Sequence, residues 1–191
     1  MDNSSPKISR GFLQKVIEET RVGKESSNSI PQIFCGDIDM RIARDGTWYY
    51  KGSPIERYKL VKLFASILTR DEKGHFWLKT KVERCRVTVD DAPFLAVEMN
   101  VDRKKNKQQL IFRTNVDDIV IAGPKHSIIV RVDPETNEPS PYLEIRSGIE
   151  ALITRSVFYD LVELGIKTIH ESHLILGVWS DGIFFHLGSI D

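Results

Sequence analysis

Cysteine is nearly missing from this chain: there are two, Cys35 and Cys85, in 191 residues. They stand far apart, with neither metal-ligand nor redox spacing, which excludes a disulfide-rich scaffold and a cysteine zinc site. Both are read as reduced residues of the core or of strands. A charge excess is also missing. Lys plus Arg and Asp plus Glu number 27 each, so no global field draws nucleic acid or an anionic membrane to the protein. No window reaches the ~18 apolar residues of a spanning helix, and MDNSSPKISRGF has no apolar signal core. The expectation is a cytoplasmic protein with no membrane insertion and no nucleic-acid partner. The phosphate loop, the dinucleotide glycine fingerprint, the nucleophile elbow and the zincin helix are absent as well, which leaves any enzyme without a local signature.

What is present is an ordinary globular composition, 41% hydrophobic and 28% charged, in a chain long enough to bury a substantial core. ISRGFLQKVIEETRVG sets Ile8, Phe12, Leu13, Val16 and Ile17 on one helical stripe, with Ser9 as cap and Gly23 as stop. The polar KESSNSIP that follows reads as a linker. From Asp37 the period changes to that of strands. DIDMRI, the Asp45-Gly46 turn and TWYYK form a hairpin. Gly52-Ser53-Pro54 then reads as a break that starts a helix, with Ser53 as N-cap and Pro54 in the first turn. HFWLKT, VERCRVTV, FLAVEMNV, QQLIFRT and IVIA follow as an antiparallel meander. SIIVRV, PYLEIR and GIEAL lead to a second helix at about Arg155–Leu164, and then come HLILGVWS, an Asp181-Gly182 turn and IFFHL.

The chain echoes itself. YKLVKL at Tyr58 matches YDLVEL at Tyr159, each following short strands and each preceding a tryptophan strand, at Trp77 and Trp179. The expected class is α+β: two repeated units of bent antiparallel sheet plus helix, with an extra N-terminal helix. Residues 1–30 are the helix and linker, 31–92 the first unit and 93–191 the second.

Candidate chemistry is sparse. His170 and His173 lie one helical turn apart with His186 on a following strand, but solvated loop histidines are the favoured reading over a metal site, which needs three or four converging ligands. Asp90-Asp91 and Asp117-Asp118 are paired carboxylates placed where turns need capping groups; a close pair can also raise one pKa enough to make a general acid. Arg113 and Asn115 adjoin the second pair, as either a salt-bridge corner or the edge of a polar pocket. The basic run after Asp102 reads as a solvated hairpin tip. Trp48 and Tyr50 share one strand face. Packing under the helix with Ile55 and Leu60 is favoured; the other arrangement is an exposed aromatic patch near Arg44, Lys51 and Arg57.

Taken together, RDGTWYYKGSPIERYKLVKLFASILTRD, VTVDDAPFLAVEM, FRTNVDDIV, PYLEIRSGIEAL and RSVFYDLVELG resemble, in order and spacing, a bacterial family of unassigned function, domain of unknown function 1285. The resemblance covers about Ile30 to Asp191. It implies repeated motifs similar to pleckstrin-homology modules and a binding or scaffolding role in signal transduction, and it offers no catalytic residues to carry over. The expectation is therefore a non-enzymatic binding module without cofactor or metal that engages a protein or small ligand, as a monomer or a homo-oligomer. Its binding candidates are Arg44, Trp48, Tyr50, Arg57, Arg113, Asn115 and Asp117. The alternative is an enzyme with a carboxylate-containing polar pocket.

Overall fold

The computed structural model describes residues 33–104, 107–170 and 173–190; the helix expected at Ile8–Val22 lies outside them. The chain divides into two compact units, Met1–Asp91 and Ala92–Asp191.

The first unit runs β1 (Ile33–Ile42), β2 (Trp48–Tyr50), β3 (Ser53–Pro54), α1 (Tyr58–Ser66), β4 (Leu68–Arg70), β5 (Phe76–Lys79) and β6 (Glu83–Val89). These strands form one sheet in the order β3-β2-β1-β6-β5-β4. The β1–β2 hairpin closes as its turn chemistry dictates. Gly46 takes a φ of +80°, and the Asp45 carboxylate accepts the Thr47 N–H at 2.9 Å, leaving Ile42 opposite Trp48. Alternation then puts Met40, Ile42, Trp48, Leu78, Cys85 and Val87 into the core, beneath α1, where Phe64 stacks on Trp48 with centroids 6.2 Å apart. Burial of each large apolar side chain contributes about 1.5–3 kcal/mol.

Two expectations fail in this unit. Ser53 and Pro54 do not cap the helix. They pair with Tyr50 and Tyr49, the Ile55 N–H donates to the Trp48 carbonyl at 2.7 Å, and the helix waits until Tyr58, with Arg57 as an N-cap that makes no side-chain bond. Strand pairing there uses the backbone groups that a helix start at Pro54 would have needed. The second failure concerns sulfur. Cys85 is disulfide-bonded rather than a reduced thiol. Strands β1 and β6 run parallel with Phe34 opposite Arg84, so the positions that follow each, 35 and 85, become backbone neighbours despite their separation in sequence.

The second unit runs β7 (Phe94–Lys104), β8 (Lys107–Thr114), β9 (Ile119–Ile121), β10 (Ile128–Val132), β11 (Pro139–Arg146), β12 (Ile149–Ile153), α2 (Arg155–Glu163), β13 (Ile166–His170), β14 (His173–Ser180) and β15 (Ile183–Ser189). A six-stranded sheet has the order β10-β11-β12-β7-β8-β9, and β13-β14-β15 form a separate three-stranded one. Val157 and Leu161 are the buried residues of α2. Ser180, fully buried, ties the two sheets together: its Oγ accepts the Leu110 N–H at 2.9 Å and donates to the Ala122 carbonyl at 2.7 Å.

The α+β class with two repeated sheet units holds, but the sheets are mixed rather than antiparallel. Strands β1 and β6 are parallel, and so are β7 and β12. Each parallel pair is made possible by a long intervening excursion of chain, which such a pair requires. The repetition lives in topology: a hairpin, a nine-residue helix and a three-stranded meander occur in both units. The YKLVKL echo does not mark equivalent helical positions. Tyr58 opens α1, whereas Tyr159 lies inside α2, and both rings are exposed. Trp77 and Trp179 do occupy the middle strand of their respective meanders.

Candidate functional site

Four candidates belong to the first unit, and they meet different fates. Arg44 lies at the β1–β2 turn, with Nε 3.1 Å from Asp91 Oδ2. Beside this pair in sequence, Arg41 grips Asp90 with two bonds, at 2.8 and 2.5 Å. The Asp90 carboxyl is lowered by its hydrogen bond from Arg41, against some opposing desolvation. The Asp90-Asp91 pair thus anchors arginines. Trp48 is 1% exposed, so it belongs to the core and presents no face to a partner, as the packing alternative required. Its indole Nε1 has no hydrogen-bond partner among the described residues. Tyr50 is half-buried, with the Lys51 ammonium 5.7 Å from its ring centre. Arg57 is exposed at the start of α1, where its carbonyl accepts the Leu60 and Val61 N–H groups.

The second unit gathers Arg113 and Asp117 but not Asn115. Arg113 Nε lies 2.7 Å from Glu98 Oε2, and its Nη1 lies 3.4 Å from Asp117 Oδ1. Asn100 donates to the other Glu98 oxygen at 2.9 Å. Asn115 instead accepts the Leu95 N–H at 3.0 Å, locking the turn after β8 onto β7. Asp117 sits at φ +62°, a conformation that Asp tolerates better than most residues. Asp118 faces Arg146 at 3.7 Å, and the Arg146 guanidinium lies 5.5 Å from the Phe94 ring centre. Beneath the turn, the fully buried Thr114 accepts the Asp118 N–H at 3.0 Å.

The surroundings of Glu98 favour its ionised form. Hydrogen bonds from Arg113 and then Asn100 lower the Glu98 pKa, and the Glu98 hydrogen bond raises that of Arg113. A general acid at neutral pH needs its carboxyl pushed upward. Burial lowers Arg146, with Asp118 partly offsetting it. The cluster is a chain of satisfied ion pairs. Among the described residues, no group of three or more His, Cys, Asp or Glu could hold a metal ion. His170 and His173 stand opposite one another in register on β13 and β14 rather than in a loop.

A surface absent from the sequence reading emerges on the first sheet. Cys85 and Val87 of β6 point inward, and so Arg84, Arg86 and Thr88 point outward, all exposed. On β5, Leu78 is buried and Trp77 and Lys79 take the outer face. The Arg84 guanidinium lies 4.9 Å from the Trp77 ring centre. Phe34, 54% exposed, meets Trp77 edge to face at 5.8 Å. Asp71 fixes the indole: its carboxylate accepts Trp77 Nε1 and the Lys73 N–H at 2.9 Å, and the His75 N–H at 2.8 Å. Desolvation alone would raise the Asp71 pKa, but the bonds from Trp77 and His75 outweigh it and hold the carboxyl at about 2. The parity of ERCRVTV and FWLK already carried this signal. Only the pairing of β5, β6 and β1 puts the residues side by side.

Comparison with known proteins gives a uniform result. Residues 30–92 match the N-terminal domain described as "Domain of unknown function (DUF1285)", and residues 93–187 match the C-terminal domain described as "Protein of unknown function (DUF1285)". A crystal structure of a DUF1285 family protein from Silicibacter pomeroyi DSS-3 is 46% identical, with a TM-score of 0.76, over 92% of this chain and 95% of that one. A second, from Shewanella baltica OS155, is 27% identical with a TM-score of 0.52, over 66% of this chain and 91% of that one. No curated protein matches the chain. No helix among the described residues is long and apolar enough to cross a membrane.

Proposed function

The chain belongs to the DUF1285 family, and from that premise we propose that it is a non-enzymatic binding protein that engages a protein or small ligand, with a place in signal transduction. The observation that carries this reading is the state of its ionisable groups. A polar cluster that could have formed a catalytic centre, Glu98-Arg113-Asp117, is internally paired, and its carboxylate Glu98 is held below the usual range. Strong side chains that folding does not require, among them Arg57, Arg84 and Arg86, stand exposed. Such residues serve recognition more readily than chemistry. Comparison of each unit with pleckstrin-homology modules belongs to the same proposal: hairpins and a single helix make a rigid carrier, and the bound group is chosen by surface residues.

A thermal-shift screen of the full chain against nucleotides, metabolites and acidic and basic peptides tests the reading. A ligand at ~100 times its Kd adds about 2.7 kcal/mol whatever its chemistry. The expected result is a raised Tm with a ligand that is recovered unchanged. Catalytic turnover of a stabilising compound, followed by NMR, would overturn it.

A further inference from the structure

The outer face of the first sheet unites three features. Lys79, Arg84 and Arg86 supply three exposed cations on two neighbouring strands. Among the described residues none of the three takes part in an ion pair. Asp37, opposite Arg86 in register, makes no ion pair with it. Phe34 and Trp77 add aromatic surface at the centre, and Asp71 holds the indole by its Nε1. The core lies on the other face of this sheet, so folding explains neither the cations nor the half-exposed rings.

We propose that this face, centred on Trp77 and Arg84, docks an acidic protein surface. The inference rests on the reading of the chain as a binding protein and names the partner class. Charge complementarity supplies the first argument: Lys79 and Arg84 lie opposite one another in register with Phe34 beyond them, so this row of the face is cationic and favours carboxylates, while the exposed Asp37 and Asp39 of β1 lie on the side of Arg86. The state of Arg84 supplies the second. A guanidinium stacked on an indole is pre-ordered, and its N–H edge remains available for a two-pronged bond to a carboxylate. Composition supplies the third, since tryptophan and arginine together at the centre of a patch, with apolar contact beside them, are the residues that dominate protein interfaces. Single-stranded nucleic acid fits less well. Base stacking needs open ring faces, whereas Arg84 already lies over the Trp77 ring and Phe34 meets it edge-on.

The test uses the full-length protein and fluorescence anisotropy with three labelled probes: a dodecapeptide of alternating glutamate and leucine, its lysine–leucine counterpart and oligo-dT. The acidic peptide is expected to bind, more weakly as salt rises, and the other two are not. The R84E/R86E double variant should weaken binding by about tenfold or more, with near-UV circular dichroism and Tm unchanged. The exposed-site control R155E, at the start of α2, should bind as wild type does. Should the double variant lose its fold, R84Q and R86Q are read singly, and each is expected to weaken the acidic peptide. Acidic-peptide binding that survives the double reversal overturns the location, as does equal loss with R155E. Binding of oligo-dT in preference overturns the partner class. No binding of the acidic peptide by wild type overturns the inference as a whole, while a ligand found in the thermal-shift screen would still uphold the broader reading.

Discussion

Replacement of Ser180 by alanine removes one oxygen and orphans two backbone groups. Ser180 is 0% exposed. Its Oγ is the acceptor for the Leu110 N–H at 2.9 Å and the donor to the Ala122 carbonyl at 2.7 Å. Alanine fills almost the same volume, so cavity formation contributes little and the change isolates the hydrogen bonds. A buried polar group left unsatisfied costs about 1–3 kcal/mol. With two such groups and some relaxation, the expected loss is about 2–4 kcal/mol. Urea unfolding followed by far-UV circular dichroism should show the midpoint falling by about 1–2 M at a slope of ~2 kcal/mol per M. Ser189, exposed near the end of β15, is the control, and its alanine variant should stay within about 0.5 kcal/mol of wild type. A Ser180→Ala midpoint indistinguishable from that of the control would refute the assignment of the hydroxyl as the tie between β14 and β8.

Three further outcomes follow from the same physical reasoning. The Asp71 carboxyl is held at about 2 in the folded chain, below its ordinary value of 3.8. Its contribution is therefore complete above pH 3.8 and disappears as pH falls toward 2. An acid-unfolding curve of Asp71→Asn should lose that pH-dependent component, while one parallel to wild type across the window would contradict the network. Gly177→Ala puts a Cβ 2.3 Å from Phe184 Cζ and 2.6 Å from the Phe185 carbonyl. Overpacking of this kind costs about 1–3 kcal/mol, read as a lower Tm, and an unchanged Tm would show that the Phe184 ring yields freely. Phe64→Ala should destabilise the first unit by about 3–5 kcal/mol and red-shift tryptophan emission as Trp48 becomes hydrated. Unaltered emission would contradict the Trp48–Phe64 stack.

Much of the local structure was legible because it depends on short-range chemistry. Asp45-Gly46 closes its hairpin through a positive φ and a carboxylate bond to Thr47. The helix at Arg155–Glu163 and the strands around Trp77 and Trp179 follow from periodicity. The failures share a cause. Ser53-Pro54 has the chemistry of a helix start, yet pairing with Tyr49 and Tyr50 claims its backbone. The echo at Tyr58 and Tyr159 is real as sequence, but the helices are set by which apolar residues reach each core, and so it lands on different turns. Arg44 and Trp48, neighbours in sequence, separate into an ion pair and a core ring.

The α+β character, the hairpin turns, the two-unit repetition and the lack of a local catalytic signature are all legible in the chain before it folds, since each is written in residues a few positions apart. Tertiary structure alone decided which strands lie in parallel, that Cys85 is bonded, that Glu98 and Arg113 neutralise one another, and that Phe34, Trp77, Arg84 and Arg86 share an outer face. Those outcomes depend on register between strands distant in the chain. Alternation tells which side chains share a face of their own strand, and only the pairing of strands tells which of them meet.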